Sequence, residues 1–296
     1  TVDLASASAP DTAALEAAGA AYGVILVEKE ASLGGWLKTV YRCAPLRPPY
    51  TELEENPAVL LSGKVEGHSG ITVYSGAIIE RTVGGPGTFD VAIRQGDLVV
   101  NERVGSIIVA AGARPYAPAK LPGLKNLGYG TFPDIVTSSK FEALALEGGG
   151  RVARPSDGRE VRNAAFIQCV GSRDPEHLPY CSAACCVETL KQSLYLVGED
   201  PKATVFVYYR DLRACGQYEH FYKRVQEAGV VFIKADIVRV VEESGSLTVE
   251  ADDLFVGGLS RAEGLDLVVL VTGMVSGSAG AGSEQRVLNL DYSQGP

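Results

Sequence analysis

The chain has 296 residues, 46% of them hydrophobic and 21% charged, with a formal net charge of −9. That is globular composition with length for one large or two medium domains. The acidic balance argues against nucleic acid or an anionic membrane surface as the main partner, since both reward clustered Lys and Arg.

No run approaches the roughly 18 apolar residues of a membrane span, and no basic region followed by an apolar one opens the chain. A soluble, cytoplasmic protein is expected, with no direct membrane insertion and any membrane association running through partner subunits. The ends, Thr1 and "NLDYSQGP", read as those of a fragment or of a subunit whose ends are missing.

In chain order, an Ala-rich helical stretch, "DTAALEAAGAA", precedes "YGVILVEKE" (22–30), a buried parallel strand ending in an acid. Residues 70–115 alternate in period two, with turn signals at Gly-Gly-Pro-Gly and Gln-Gly-Asp, and so predict antiparallel strands that lead to a buried closing run, "SIIVAAG". The looser stretch 115–160 carries Pro, Gly and Ser and reads as a connection between domains.

The alternation then restarts. "NAAFIQCVG" is a buried strand, "CCVETLKQSLYLVGED" has helical spacing and "ATVFVYYRDL" is a strand. "YEHFYKRVQEAG" is a helix closed by Gly, and "VVFIKADIVRVVEE", "SLTVEA" and "DLVVLVTGMV" are strands. The fold class is therefore α/β, with two successive doubly wound dinucleotide-binding-type domains over residues 1–158 and 159–275 and a return segment over 276–296.

Glu28 is the first chemically suggestive residue. An acid ending the second strand of a dinucleotide-binding unit hydrogen-bonds the adenosine ribose. The plain alternative is an acid that merely ends a strand. Gly34 and Gly35, and the small-residue strand end "AAG" at 110–112, would let backbone approach a ligand closely. Against this, the first β-α turn should carry G-x-G-x-x-G, yet it reads "LASASAPDTAAL". Ala5, Ala7 and Pro10 stand where Gly is expected; Ala is disfavoured at positive φ, and Pro removes an N–H that could hold phosphate.

Four of the six cysteines fall within residues 169–186, spaced C-x11-C-x3-C-C at Cys169, Cys181, Cys185 and Cys186. A thioredoxin-type motif needs C-x-x-C, and adjacent cysteines rarely bridge without strain. Soft sulfur donors select zinc or an iron-sulfur cluster. Because an adjacent Cys-Cys pair is awkward around one tetrahedral ion, the pattern favours [4Fe-4S], with zinc and free or redox thiols as alternatives. The cysteines occupy the first β-α turn of the second unit, where they would compete with a nicotinamide cofactor for the helix N-terminus. His177 in the same loop is an alternative ligand or a surface residue, while Cys215 reads as a structural thiol.

"AAFIQCVGSRD", "YCSAACC", "VYYRDLRACGQYEHFYKRVQEAGVVFI", "LVEKEASLGGWL" and "VVLVTGMV" resemble the A subunit of heterodisulfide reductase and its relatives in quinone-interacting membrane-bound oxidoreductase complexes. The resemblance implies a thioredoxin-reductase-like flavoprotein carrying FAD and a [4Fe-4S] cluster, working as an oxidoreductase subunit that relays electrons between flavin and partner iron-sulfur subunits. It implies Cys169, Cys181, Cys185 and Cys186 as cluster ligands. It also implies Glu28, Lys29, Gly34, Gly35, Trp36, Lys38, Ala111 and Gly112 along the FAD, Lys38 as a cation near the flavin and Trp36 chiefly in packing. Cys43, following the Gly pair, is a semi-buried bystander or a thiol near that flavin. The ferredoxin-type C-x-x-C-x-x-C inserts of larger members are absent. No catalytic acid, base or nucleophile is designated, and homo-oligomerisation stays open. Two rivals remain: a degenerate scaffold without FAD, and a nicotinamide-dependent flavin disulfide reductase, which would need a redox cysteine pair and a second glycine loop.

Overall fold

The computed structural model describes residues 9–116, 126–198, 200 and 202–277. Ala5, Ala7 and most of the expected return segment lie outside them.

In the first half, α1 (Ala9–Gly19) precedes β1 (Val24–Glu28), as the Ala-rich stretch and the apolar run predict. A 3-10 turn (Gly35–Thr39), β2 (Arg42–Cys43), β3 (Glu54–Glu55), α2 (Ala58–Glu66) and β4 (Ile71–Ser75) follow. β1 and β4 pair in parallel, with Val24 opposite Ile71 and Glu28 opposite Ser75. Then β5 (Ala77–Gly85), β6 (Thr88–Gln95) and β7 (Leu98–Val104) form a three-stranded antiparallel meander, in agreement with the period-two pattern. β8 (Ala113–Pro115) closes this half.

The run "SIIVAAG" departs from its reading as a buried strand. Residues 106–112 form no strand, and Ile108 is 68% exposed. Apolar composition alone does not make a strand without a neighbour to pair with, and the segment that a doubly wound unit would set beside it, residues 1–8, lies outside the described residues.

The second half is a seven-stranded sheet built from β9 (Ile135–Thr137), β10 (Asn163–Val170), β11 (Thr204–Tyr209), β12 (Val231–Glu243), β13 (Ser246–Asp253), β14 (Gly258–Leu265) and β15 (Leu267–Thr272). The order across the sheet is β14-β13-β12-β11-β10-β15-β9. β12, β11, β10, β15 and β9 run parallel, and β12, β13 and β14 form an antiparallel meander at one side. The helices α3 (Ser138–Glu147), α4 (Cys185–Val197) and α5 (Tyr218–Glu227) accompany it. A short β16 (Met274–Ser276) follows β15.

The stretch taken as a connection, 115–160, therefore contributes β9 and α3 to this sheet. Thr137 caps α3, its Oγ1 accepting the Lys140 N–H at 3.2 Å. Ahead of it, buried Asp134 accepts from Arg154 Nη2 at 2.7 Å and from Ser156 Oγ at 2.7 Å. A three-residue strand is too short to show a period, which is why the pattern misses it.

β10 and β15 are apolar on both sides, as strands covered on two faces must be. On one face Phe166, Val207 and Val269 pack with Phe141, Leu190 and Phe221 from the helices. On the other, Ile167, Tyr208 and Leu270 pack with Val249 and Leu265 of the meander. Burying a side chain such as Phe166, which is wholly inaccessible, contributes about 1.5–3 kcal/mol.

Among the described residues the two halves touch at several points, Arg224 Nε reaching Glu52 Oε1 at 3.3 Å at one of them. β16 pairs antiparallel with β8, Val275 opposite Arg114. Elsewhere the backbone N–H of Tyr41 donates to Glu142 Oε1 at 2.8 Å, and the Tyr195 hydroxyl accepts the Arg42 N–H at 3.2 Å. Glu142 is buried and also holds Lys191 Nζ at 2.9 Å.

Candidate functional site

Sequence order reverses across the sheet between β10 and β15: β11 and β12 lie to one side of β10, and β15 to the other. In open parallel sheets the crevice beyond the strand ends at such a point is where ligands bind. Cys169 stands at the end of β10, where the register with β15 shifts between Ile167 and Val170 and the backbone of Cys169 takes a φ of +58°.

The loop 171–184 folds back on itself. Asp174 N–H reaches Leu178 O at 2.9 Å, and Arg173 N–H reaches Tyr180 O at 3.1 Å. It is pinned to the β15–β16 turn by the Ser182 hydroxyl, which accepts the Met274 N–H at 2.7 Å. Gly273 makes the approach possible, because a Cβ there would fall 1.9 Å from Ser172 Oγ. α4 then opens on Cys185 and Cys186.

Cys169, Cys181, Cys185 and Cys186 thereby line one small cavity, together with Ser172, Arg173, Asp211 and Arg213. The Arg213 N–H points at Cys186 Sγ (3.3 Å) and the Ala183 N–H at Cys181 Sγ (3.4 Å). Cys185 Sγ lies 3.6 Å from Thr272 O. Burial pushes the Cys185 thiol well above the usual range and the Cys186 thiol up to about 11. Burial also raises Cys169, against the opposing charge of Arg173.

Among the described residues no group of three or more His, Cys, Asp or Glu could hold a metal ion. The four thiols surround a shared space rather than converge on a point. Four soft donors lining one cavity, with N–H groups aimed at two of the sulfurs, are a donor set of the kind that holds zinc or an iron-sulfur cluster.

The other expected residues are more dispersed. Glu28 ends β1 and accepts the Glu30 N–H at 2.9 Å. Lys29 is exposed. Gly34 has a φ of +98°, and a Cβ there would meet Lys38 Cε at 2.8 Å, so Gly lets the lysine stem lie across the turn. Lys38 Nζ donates to Ser32 Oγ at 2.7 Å. Gly35, at φ +42°, opens on free space, and Trp36 packs on Leu37, Val40, Cys43 and Ala58. Ala111 and Gly112 are exposed beside the β8–β16 crossing, where Gly112 O accepts the Gly277 N–H at 2.8 Å.

Pro10 occupies the first turn of α1, followed by Asp11, buried and hydrogen-bonded by Ser62 Oγ at 3.1 Å. Burial raises the Asp11 carboxyl. His177 lines an adjoining cleft of about 570 Å³ along the ends of β10, β11 and β12, which shares Cys169 with the cysteine cavity, and does not line that cavity itself. Cys43 is buried and Cys215 exposed, both away from the four.

The residues that sequence reading missed are Arg173, Asp211 and Arg213. Asp211 and Arg213 had a positional signal, since "RDLRAC" follows β11, whose end adjoins that of β10, while Arg173 lies in the cysteine loop itself.

The fold is thioredoxin-reductase-like. T. acidophilum thioredoxin reductase superposes with a TM-score of 0.53 at 13% identity, over 90% of this chain and 74% of that one, a likeness of fold. No family model matches.

Curated relatives place the chain more narrowly. It is 39% identical over 203 residues to the second iron-sulfur A subunit of the CoB–CoM heterodisulfide reductase of Methanopyrus kandleri, covering 66% of this chain and 30% of that protein. It is 36% identical over 200 residues to the A subunit of the H2/formate:CoB-CoM heterodisulfide,ferredoxin reductase of Methanococcus maripaludis, covering 65% and 30%. Over these 200 or so residues the chain is similar to heterodisulfide reductase A subunits, and the match spans about a third of the length of those relatives.

Proposed function

We propose that this chain is the electron-relaying part of a heterodisulfide-reductase-like A subunit, an oxidoreductase component with an iron-sulfur cluster on its second unit and FAD on its first. The observation that carries the reading is the gathering of Cys169, Cys181, Cys185 and Cys186 around one cavity at the strand-order reversal. The relatives are named as an iron-sulfur subunit of one reductase and a component of a heterodisulfide,ferredoxin reductase, which supports both the cluster and a multi-subunit setting.

These four cysteines would hold the cluster, which supplies one-electron chemistry when bound. The chain's own part is to bury Cys185 and Cys186 and to orient the sulfurs, with the Arg213 and Ala183 N–H groups directed at two of them. In the first unit, Glu28 would accept from the ribose, and Gly34, Gly35, Ala111 and Gly112 would leave room for the cofactor to lie along the backbone. Lys29 and Trp36 flank that turn, and Lys38 would bring a positive charge to its edge. The working division is a FAD-type unit in the first half, a cluster-bearing unit over 159–275 whose sheet also takes in β9 and α3 from residues 135–147, and a return segment over 276–296. The natural setting is cytoplasmic, with partner subunits as donor or acceptor; among the described residues no helix is long and apolar enough to cross a membrane.

A second reading, a cluster-bearing subunit without flavin, is favoured by one observation. Pro10, without an N–H, and the Asp11 carboxyl occupy the first turn of α1, where a dinucleotide would need donors and positive potential. Anaerobic purification with iron, sulfide and flavin analysis tests both. About four irons with about one flavin per chain supports the relay, iron without flavin supports the second reading, and a folded chain with neither metal nor flavin refutes both.

A further inference from the structure

We propose that Arg173 raises the reduction potential of the cluster held by the four cysteines, and that Asp211 sets how strongly it does so; the inference rests on the cluster reading above.

Arg173 lines the cysteine cavity from the loop side. Its backbone is held at a φ of +58°, a conformation that a bulky residue adopts only when its surroundings enforce it. The guanidinium is locked at one end, Nη2 donating to Asp211 Oδ2 at 2.7 Å. Its other terminal nitrogen, Nη1, is buried without a nitrogen or oxygen partner, and the Cys169 thiol is the neighbour within the guanidinium's reach. Ser172 Oγ, on the same wall, is also buried and unpartnered.

A buried donor left unmade costs about 1–3 kcal/mol, more when charged, so such groups mark places where something else accepts the bond. The acceptors that belong in this cavity are sulfur atoms, with Cys169 the one beside the guanidinium.

A fixed cation beside a redox centre favours the state with one more electron, because that state is more negative. Arg173 thus raises the potential. Asp211 opposes it: the carboxylate sits between Arg173 and Lys234, whose Nζ is 3.6 Å away, and offsets part of the positive charge while fixing the guanidinium in place.

The test is an EPR-monitored potentiometric titration of the anaerobically isolated full chain, with iron and sulfide assayed on each sample. Arg173→Gln at wild-type iron content is expected to titrate at lower potential, Arg173→Lys nearer the wild type and Asp211→Asn at higher potential. Unchanged potentials at full iron content in Arg173→Gln would overturn the inference while leaving the cluster reading intact. Should Arg173→Gln load less iron, Asp211→Asn decides: a raised potential supports the inference and an unmoved one overturns it. A wild type that binds no iron refutes the cluster reading and this inference with it.

Discussion

The two halves of the molecule are built on the same plan to different degrees of completion. In the second, five parallel strands carry a core on both faces, and the cysteine loop is laid over the strand ends. In the first, among the described residues, a single parallel pair, β1 with β4, leans on a meander, and the run meant to close it leaves Ile108 exposed. The difference teaches where order comes from. A strand buried on two faces fixes the residues at its end, so Cys169 and Thr272 stand in defined positions, whereas Glu28 and Gly112 end segments with few neighbours.

The comparison breaks most visibly through the core. Phe166→Ala should lower stability by about 3–5 kcal/mol in denaturant unfolding, while Ile108→Ala should stay within about 0.5 kcal/mol. A comparable loss from both would mean that the closing run is part of a core after all.

Asp134→Ala strands Arg154 in a buried position and should cost about 3–5 kcal/mol. Burial pushes the Asp134 carboxyl up, but hydrogen bonds from Ser156 and Arg154 outweigh it and hold the group below its ordinary value. A carboxyl lowered in the folded state contributes stability that is present above its unfolded pKa and lost as pH falls through the folded one. Wild type should therefore lose stability on acidification below about pH 4, and the Asp134→Ala variant should lose less. Equal acid sensitivity in the two proteins would sink this account of the edge of the sheet.

A smaller effect sharpens the comparison at the site. Gly273→Ala forces Ser172 aside and should cost about 1–3 kcal/mol, with iron content falling more than helix content by circular dichroism. Smallest is Thr137→Ala, which removes the cap of α3 and should cost about 1 kcal/mol in thermal unfolding.

What was legible in the sequence follows the same divide. The strands around the cysteines read correctly because "NAAFIQCV" and "LVVLVT" are apolar on both faces, and α5 because its Phe221 and Val225 recur at helical spacing. β14, "GLSRAEGL", was unreadable: it is a polar strand ordered by pairing with β13. β9 was too short to show a pattern. The four cysteines announced themselves by crowding. Arg173 and Asp211, 38 positions apart, could be joined only by the adjacency of β10 and β11. Nothing in the sequence sets the buried Glu142–Lys191 pair between α3 and α4 apart from Lys140, Glu147 and Glu188 on the same helices.

The central claim, that four cysteines of the second half form one metal centre, is tested most directly by anaerobic EPR and iron analysis of Cys186→Ser beside Cys215→Ser. Iron and the reduced-cluster signal should be lost or altered in the first and unchanged in the second, since Cys215 is exposed and lies off the cavity. Equal iron in wild type and both variants, with the same spectrum, would contradict it.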